Sequence, residues 1–148
     1  MRRFLAPAAG LFLIALSSAA LAPVAFAQSA PAGFTTLSDG VMMHDDIVGT
    51  GATAQSGHLV TVQYTGWLYV NGQKGQKFDS SYDHGQAFKF VLDSGQVIPG
   101  WDAGVQGMKV GGERTLIIPP DEAYGDQGVG NIPPGATLIF DIKLVGTN

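Results

Sequence analysis

Aromatic and large aliphatic side chains recur in five short segments between Tyr64 and Val145, with little reactive chemistry beside them. The segments read Y-T-G-W-L from Tyr64, K-F-D-S-S from Lys77, V-I-P-G-W-D-A-G-V-Q-G-M-K-V-G from Val97, A-Y-G from Ala123, and I-P-P-G-A-T-L-I-F-D-I-K-L from Ile132. They supply Tyr64, Phe78, Val97, Ile98, Trp101, Tyr124 and Phe140, and their polar handles are Asp79 and the two phenol hydroxyls. That composition suits an apolar pocket with a few polar contacts, not a hydrolytic or metal centre. An isolated aromatic is by default core. Here Val60, Val62, Leu68, Phe90, Leu92, Leu116, Ile118, Ile142 and Leu144 already suffice for the core of one small domain. Tyr124 stands in a Gly-rich loop that would hold a purely structural Tyr poorly, and Trp101 opens a helix where its ring can floor a cavity.

Other chemistries fail on context. Ser80, Ser81, Asp83 and His84 contain the letters of a nucleophilic triad, but there is no G-x-S-x-G elbow, and residues so close in sequence rarely reach nucleophile–base–orienter geometry. His44, Asp45 and Asp46 resemble metal ligands on paper, yet neighbours in an extended segment point to opposite faces. They and His58 read as solvated surface. Gly49-Thr50-Gly51 imitates half of a dinucleotide fingerprint without the helix that must open there, so it is a turn. No cofactor or metal is called for.

The elements that must position the aromatics are mostly strands. In Leu59–Tyr69, Val60, Val62 and Tyr64 alternate with Thr61, Gln63 and Thr65, the period of a sheet with one buried face. Phe88, Phe90 and Leu92 alternate likewise, and so do Leu138, Phe140, Ile142 and Leu144. Val41–Val48 and Thr115–Ile118 are the remaining strand candidates. Trp101, Val105 and Met108 fall at i, i+4 and i+7 after Pro99-Gly100 and before Gly111-Gly112, which predicts the one helix. Gly104 and Gly107 weaken it by about 1 kcal/mol each relative to Ala, so its apolar face must be held by packing. The fold class is therefore α+β, a short helix laid against a curved antiparallel sheet.

The five segments, in this order, resemble the FKBP-type peptidyl-prolyl cis-trans isomerases, and the likeness runs from about residue 40 to the end. The resemblance implies a sheet of about five strands wrapped around one helix, and isomerisation of X–Pro bonds. It places Tyr64, Phe78, Asp79, Trp101, Tyr124 and Phe140 in the catalytic pocket, with Phe88, Val97, Ile98 and Ile132 binding substrate. It also implies that the Ile98 N–H and the Tyr124 hydroxyl donate to substrate carbonyls. Proline-containing polypeptides are the expected partners and macrolide immunosuppressants the expected inhibitors. The chain departs from the family in three places. Tyr69–Gln76 makes a longer loop with candidate turns at Asn71-Gly72 and Lys74-Gly75. The segment between Tyr124 and Ile132 is about one residue short. His84 and Tyr82 stand where the family often has basic residues. A salt link from His84 to Asp79 is one reading of that change, a solvated loop histidine the other.

The N-terminus belongs to something else. Arg2-Arg3, an uncharged stretch from Leu5 to Leu21 and the small-x-small site Ala25-Phe26-Ala27 read as a cleaved signal peptide over residues 1–27. A transmembrane anchor is the alternative, but Pro7, Gly10, Ser17, Ser18 and Pro23 leave less than the roughly 20 apolar residues a span requires. Residues 28–40 read as a polar lead segment and residues 41–148 as the isomerase domain. The 121 residues after the signal hold six basic and twelve acidic side chains, a formal charge of −6. That balance gives no electrostatic footprint for nucleic acid or anionic lipid. With no Cys, stability must come from burial alone. A monomeric, periplasmic or secreted folding enzyme without stable membrane insertion is the expectation.

Overall fold

The computed structural model describes residues 30–148, so the signal-peptide reading lies outside the described residues. The strands are β1 (Thr35–Thr36), β2 (Met42–Ile47), β3 (Leu59–Val70), β4 (Gln73–Ser80), β5 (Phe88–Val91), β6 (Glu113–Ile118) and β7 (Leu138–Thr147). Two short helices accompany them, α1 (Ser81–His84) and α2 (Pro99–Gly104). The strands form one antiparallel sheet in the order β1-β2-β6-β7-β3-β4, with β5 paired to the first half of β3. Seven strands replace the five or so expected, because β1 and β4 were not legible as strands.

Alternation decides the two faces. Val60 and Val62 of β3, Leu116 and Ile118 of β6, and Leu138, Ile142 and Leu144 of β7 are fully buried on the inner face, together with Phe90, Leu92, Val105 and Met108. The outer face carries a smaller cluster of Met42, Ile117 and Ile139, packed by Ala30, Phe34, Trp67 and Tyr69. Residues 30–40 are therefore no mere lead. β1 pairs with β2, Phe34 and Ala30 cover the outer cluster, and Leu37 packs on the main core.

The helix is shorter than the periodicity predicts. α2 has six residues, and Gly107 at φ 85° closes the turn that follows, so Met108 reaches the core from a loop. Its glycines have a packing reason. A Cβ on Gly100 would stand 2.4 Å from Ile118, and one on Gly104 would stand 2.5 Å from Leu116. Small residues on successive turns thus let the helix lie directly on β6. Arg114 of β6, only 5% exposed, fixes the end of the helix. Its guanidinium donates to the Gly104 and Gln106 carbonyls at 2.8 and 2.9 Å and pairs with Asp45 at 2.6 Å. Asp45 is thus a structural partner, not free surface, while His44 and Asp46 bond each other on the outer side.

The expected long loop before K-F-D-S-S is mainly strand. Asn71 and Gly72, at φ 52° and 79°, form the two-residue hairpin turn, and Lys74-Gly75 lies inside β4. The hairpin is fastened across the outer face by Lys74, 2.7 Å from Asp141 and 4.1 Å from the Trp67 ring centroid.

Candidate active site

Trp101 on α2 forms the floor of a cavity of about 190 Å³ on the inner face. Its walls are Tyr64, Asp79, Phe88, Gln96, Val97, Ile98, Tyr124 and Phe140. The indole is 4% exposed and meets Tyr64, Phe140 and Phe88 edge-on, with ring centroids 4.9, 5.3 and 6.0 Å away. Such T-shaped contacts fix ring orientations as well as burying area. The indole N–H is buried and has no acceptor among the described residues.

Phe78 and Asp79 are neighbours in β4, yet both face inward. The register steps from Trp67↔Lys77 to Gly66↔Asp79, leaving Phe78 as the extra residue of a β-bulge. Phe78 then packs on Phe140 at 5.5 Å, edge-on. Gly66 makes room for both rings, since a Cβ there would lie 2.7 Å from each. Phe78 therefore stands one ring behind the cavity and supports it through Phe140. Ile132 is 7% exposed and packs in the core, also outside the wall.

Asp79 is held from three sides. Tyr64 donates its hydroxyl to Oδ2 at 2.5 Å, and the Ser80 N–H and His84 Nε2 reach Oδ1 at 2.8 and 2.9 Å. Burial alone would raise its pKa, but the bonds from Tyr64, His84 and Ser80 outweigh it and hold the carboxyl below the usual range. Burial, and then the Asp79 carboxylate, push the Tyr64 phenol well up, and both act on Tyr124 in the same direction. The serines of the motif clamp the backbone. Tyr64 N–H donates to Ser81 Oγ at 2.8 Å, and Ser80 Oγ donates to Tyr64 O at 3.1 Å. The letters of a triad are thus a brace for Tyr64.

Two donors remain free at the rim. Neither the Ile98 N–H nor the Tyr124 hydroxyl has a partner among the described residues. The loop that presents Val97 and Ile98 is tied down by Asp102 of α2, which accepts from the Asp93 and Gly95 N–H groups at 2.8 and 3.0 Å. Gln96 accepts from Val91 N–H at 2.9 Å and lines the cavity. Sequence reasoning missed both residues. The only signal was an Asp six residues after an L-D-S-G-Q turn, which many loops would share.

A larger depression of about 450 Å³ lies on the outer face between Trp67, Lys74, Glu113, Thr115, Asp141 and Lys143. Lys74 there pairs with Asp141 and covers the Trp67 ring, whereas the smaller cavity is walled by five aromatic rings and is the one built for an apolar ring. Among the described residues no three or more His, Asp or Glu side chains are placed to hold a metal ion. No helix among them is long and apolar enough to cross a membrane.

A curved sheet on a short helix, with an aromatic cavity between them, gives a concave apolar pocket with a few polar groups on its rim. The family model described as FKBP-type peptidyl-prolyl cis-trans isomerase matches residues 51–145, and the chain belongs to that family. Its enzyme class is accordingly peptidyl-prolyl cis-trans isomerase. An FK506-binding protein of Streptomyces anulatus is 52% identical over 99 residues, covering 66% of this chain and 77% of that protein. An FK506-binding protein of Neisseria meningitidis serogroup B is 49% identical over 107 residues, covering 72% and 94%. Other relatives are longer, and the chain spans only 23% of FK506-binding protein 4 of Gibberella zeae. Among solved structures, FkpA of Escherichia coli superposes with TM-score 0.71 at 39% identity, covering 83% of this chain and 54% of that one. AtFKBP13 superposes with TM-score 0.69 at 41% identity, covering 78% and 98%.

Proposed function

We propose that this isomerase accelerates X–Pro rotation in exported polypeptides and so assists their folding. The observation that carries the catalytic part is the Trp101-floored cavity with two unspent donors on its rim. An X–Pro bond turns slowly because twisting it breaks amide resonance, a barrier of about 18–20 kcal/mol. Uncatalysed exchange takes tens to hundreds of seconds, slow enough to limit folding. The twisted amide has lost its charge separation, so an apolar cavity favours it over the planar form, which is differential binding of the transition state. Ile98 N–H and the Tyr124 hydroxyl hold the carbonyls on either side so that rotation occurs about one bond. Asp79 has its oxygens occupied by Tyr64, Ser80 and His84, and it acts by holding Tyr64 in the wall. No proton changes place in the reaction.

The same cavity supports binding of macrolides such as FK506, which relatives carry in their names. Export rests on Arg2-Arg3, the apolar stretch and Ala25-Phe26-Ala27. Intact mass of protein recovered from the producing cell should begin at Gln28; a species retaining Met1 in a membrane fraction would refute export. For catalysis, a protease-free assay on a short X–Pro peptide is the test. Phe140→Ala and Asp79→Ala should each lower kcat/KM at least about tenfold, or roughly 1.4 kcal/mol of transition-state stabilisation. Circular dichroism must show both variants folded. Full activity in folded variants would favour a proline-directed chaperone that binds without catalysing.

A further inference from the structure

We infer a second binding site on the outer face of the sheet, in the depression beside Trp67 and Tyr82, whose ligand is a neutral saccharide. The depression holds about 450 Å³, within the roughly 300–1,000 Å³ of small-molecule sites. Its floor follows from register. Glu113, Lys143 and Gln63 stand side by side on β6, β7 and β3, and Thr115, Asp141 and Thr65 form the next row. Ile117, Ile139 and Trp67 make the apolar row beyond them. Strands lie about 4.8 Å apart and same-face residues about 7 Å along each strand, so donors and acceptors alternate over a grid as wide as a sugar ring.

The hydrogen-bonding capacity of this floor is unspent. Thr115 Oγ1 lies 2.6 Å from Asp46 Oδ2 and 3.2 Å from Asp141 Oδ1, but a hydroxyl has one proton to give. The shorter bond takes it. Asp141 Oδ1 is left as an acceptor, while Lys74 holds Oδ2 at 2.7 Å. Gln63 accepts from Ser81 at 2.6 Å, and its two N–H donors have no partner among the described residues. Lys143 and Glu113 are cross-strand partners, yet neither forms an ion pair among those residues. Two rings flank the floor. The Trp67 ring is capped by Lys74, and Tyr82 on α1 is the most exposed aromatic among the described residues, at 62%. The negative face of such a ring suits the weakly positive C–H face of a pyranose.

Charge selects the class of ligand. Asp46, Glu113 and Asp141 bring three negative charges to the depression, and Lys74, Arg114 and Lys143 bring three positive ones. Their sum is zero, so neither an anion nor a cation is drawn in from a distance. Either would also meet a like charge within one step of the grid. A zwitterion has no apolar ring face to set against Tyr82. A purely apolar ligand would leave Asp141, Glu113, Gln63 and Lys143 unpaired, each at a desolvation cost. A polyol serves the two carboxylates with its protons and the two donors with its lone pairs.

The test is titration of the ¹⁵N-labelled full chain with maltotriose, cellotriose and chitotriose, following backbone amide shifts. Arginine amide, glutarate and diglycine serve as cationic, anionic and zwitterionic comparators. At least one trisaccharide should saturate shifts at Gln63, Thr65, Tyr82 and Lys143 with a Kd of about 1–10 mM, unchanged between low and high salt. Tyr82→Ala should weaken it at least about fivefold and Lys143→Met at least about twofold, in variants that melt as cooperatively as wild type. No saturable shift with any of the three sugars overturns the inference, as does undiminished binding in both folded variants. Shifts centred on Trp101 and Phe140 overturn it by placing the sugar in the inner cavity. A stronger response to any comparator than to every sugar overturns the ligand class.

Discussion

Arg114→Ala should cost this protein more stability than any exposed substitution, because it removes the link between the sheet and the helix that carries Trp101. The side chain is 5% exposed and makes two bonds to the carbonyl end of α2 and a forked pair with Asp45 at 2.6 and 3.3 Å. Hydrogen bonds to a charged group contribute about 1.5–3 kcal/mol each. Breaking a buried pair by removing one partner costs about 3–5 kcal/mol. These figures describe overlapping losses, so they do not add. Asp45 keeps about a third of its side chain in water and can rehydrate, whereas the Gly104 carbonyl bond is buried. A loss of about 3–4 kcal/mol follows. At roughly 4 °C per kcal/mol for a domain of this size, Tm should fall by about 12–16 °C. Urea unfolding followed by tryptophan fluorescence would measure it, with an unchanged m-value showing that the native state stays compact. Arg114→Lys should recover less than half, since an ammonium cannot fork between a carboxylate and two carbonyls. A loss below about 1 kcal/mol for Arg114→Ala would refute the reasoning, for it would mean that the buried bonds have little net worth.

Gly66→Ala should destabilise by about 1–3 kcal/mol through overpacking, because its Cβ meets Phe78 and Phe140 at 2.7 Å, and it should lower kcat/KM by moving Phe140; unchanged values in both assays would refute the close packing. The pH dependence of stability should carry two signatures. Asp79 has a lowered pKa in the folded state, so its contribution is present above the unfolded value of 3.8 and lost as pH falls through the folded one; the stability gap between wild type and Asp79→Asn should narrow below about pH 4. Tyr64 has a raised folded pKa, so its contribution holds below the unfolded value of 10 and is lost as pH rises toward the folded one; Tyr64→Phe should lessen the alkaline loss seen in chemical denaturation.

Long alternating segments were legible because one face of each is buried in one continuous core. β3, β5, β6 and β7 fall within a few residues of their expected bounds for that reason. β4 was not legible because it is a polar edge strand with a glycine inside, and its residues up to Lys77 are exposed. Nothing apolar marks its period. The site shows the same division. The residue types of Tyr64, Trp101, Tyr124 and Phe140 announce a pocket, and the structure brings all four to one cavity. What depends on a register step cannot be read from types. The bulge at Phe78 puts two consecutive residues on one face, against the alternation rule, and sends Phe78 behind Phe140. The positions of Gln96 and Asp102 follow from loop bonds to Val91, Asp93 and Gly95, which leave no periodic trace.

Trp101 shows why site and core are not separable here, and Trp101→Phe tests it. The indole is buried against four aromatic rings, yet its N–H has no acceptor among the described residues. A buried unsatisfied donor costs about 1–3 kcal/mol. Phenylalanine would bury roughly 40 Å² less apolar area, about 1 kcal/mol at ~25 cal/mol per Å². The void left under the cavity adds about 1 kcal/mol more. The two sides nearly cancel, so Trp101→Phe should unfold within about 1 kcal/mol of wild type. The cavity should nevertheless lose its fit to a twisted prolyl amide, because a smaller ring no longer reaches Tyr64, Phe88 and Phe140 together. The expected result is a fall in kcat/KM of at least about tenfold, near 1.4 kcal/mol, at nearly unchanged stability. A stability loss above about 3 kcal/mol with activity intact would place Trp101 in the core alone and move the catalytic surface elsewhere.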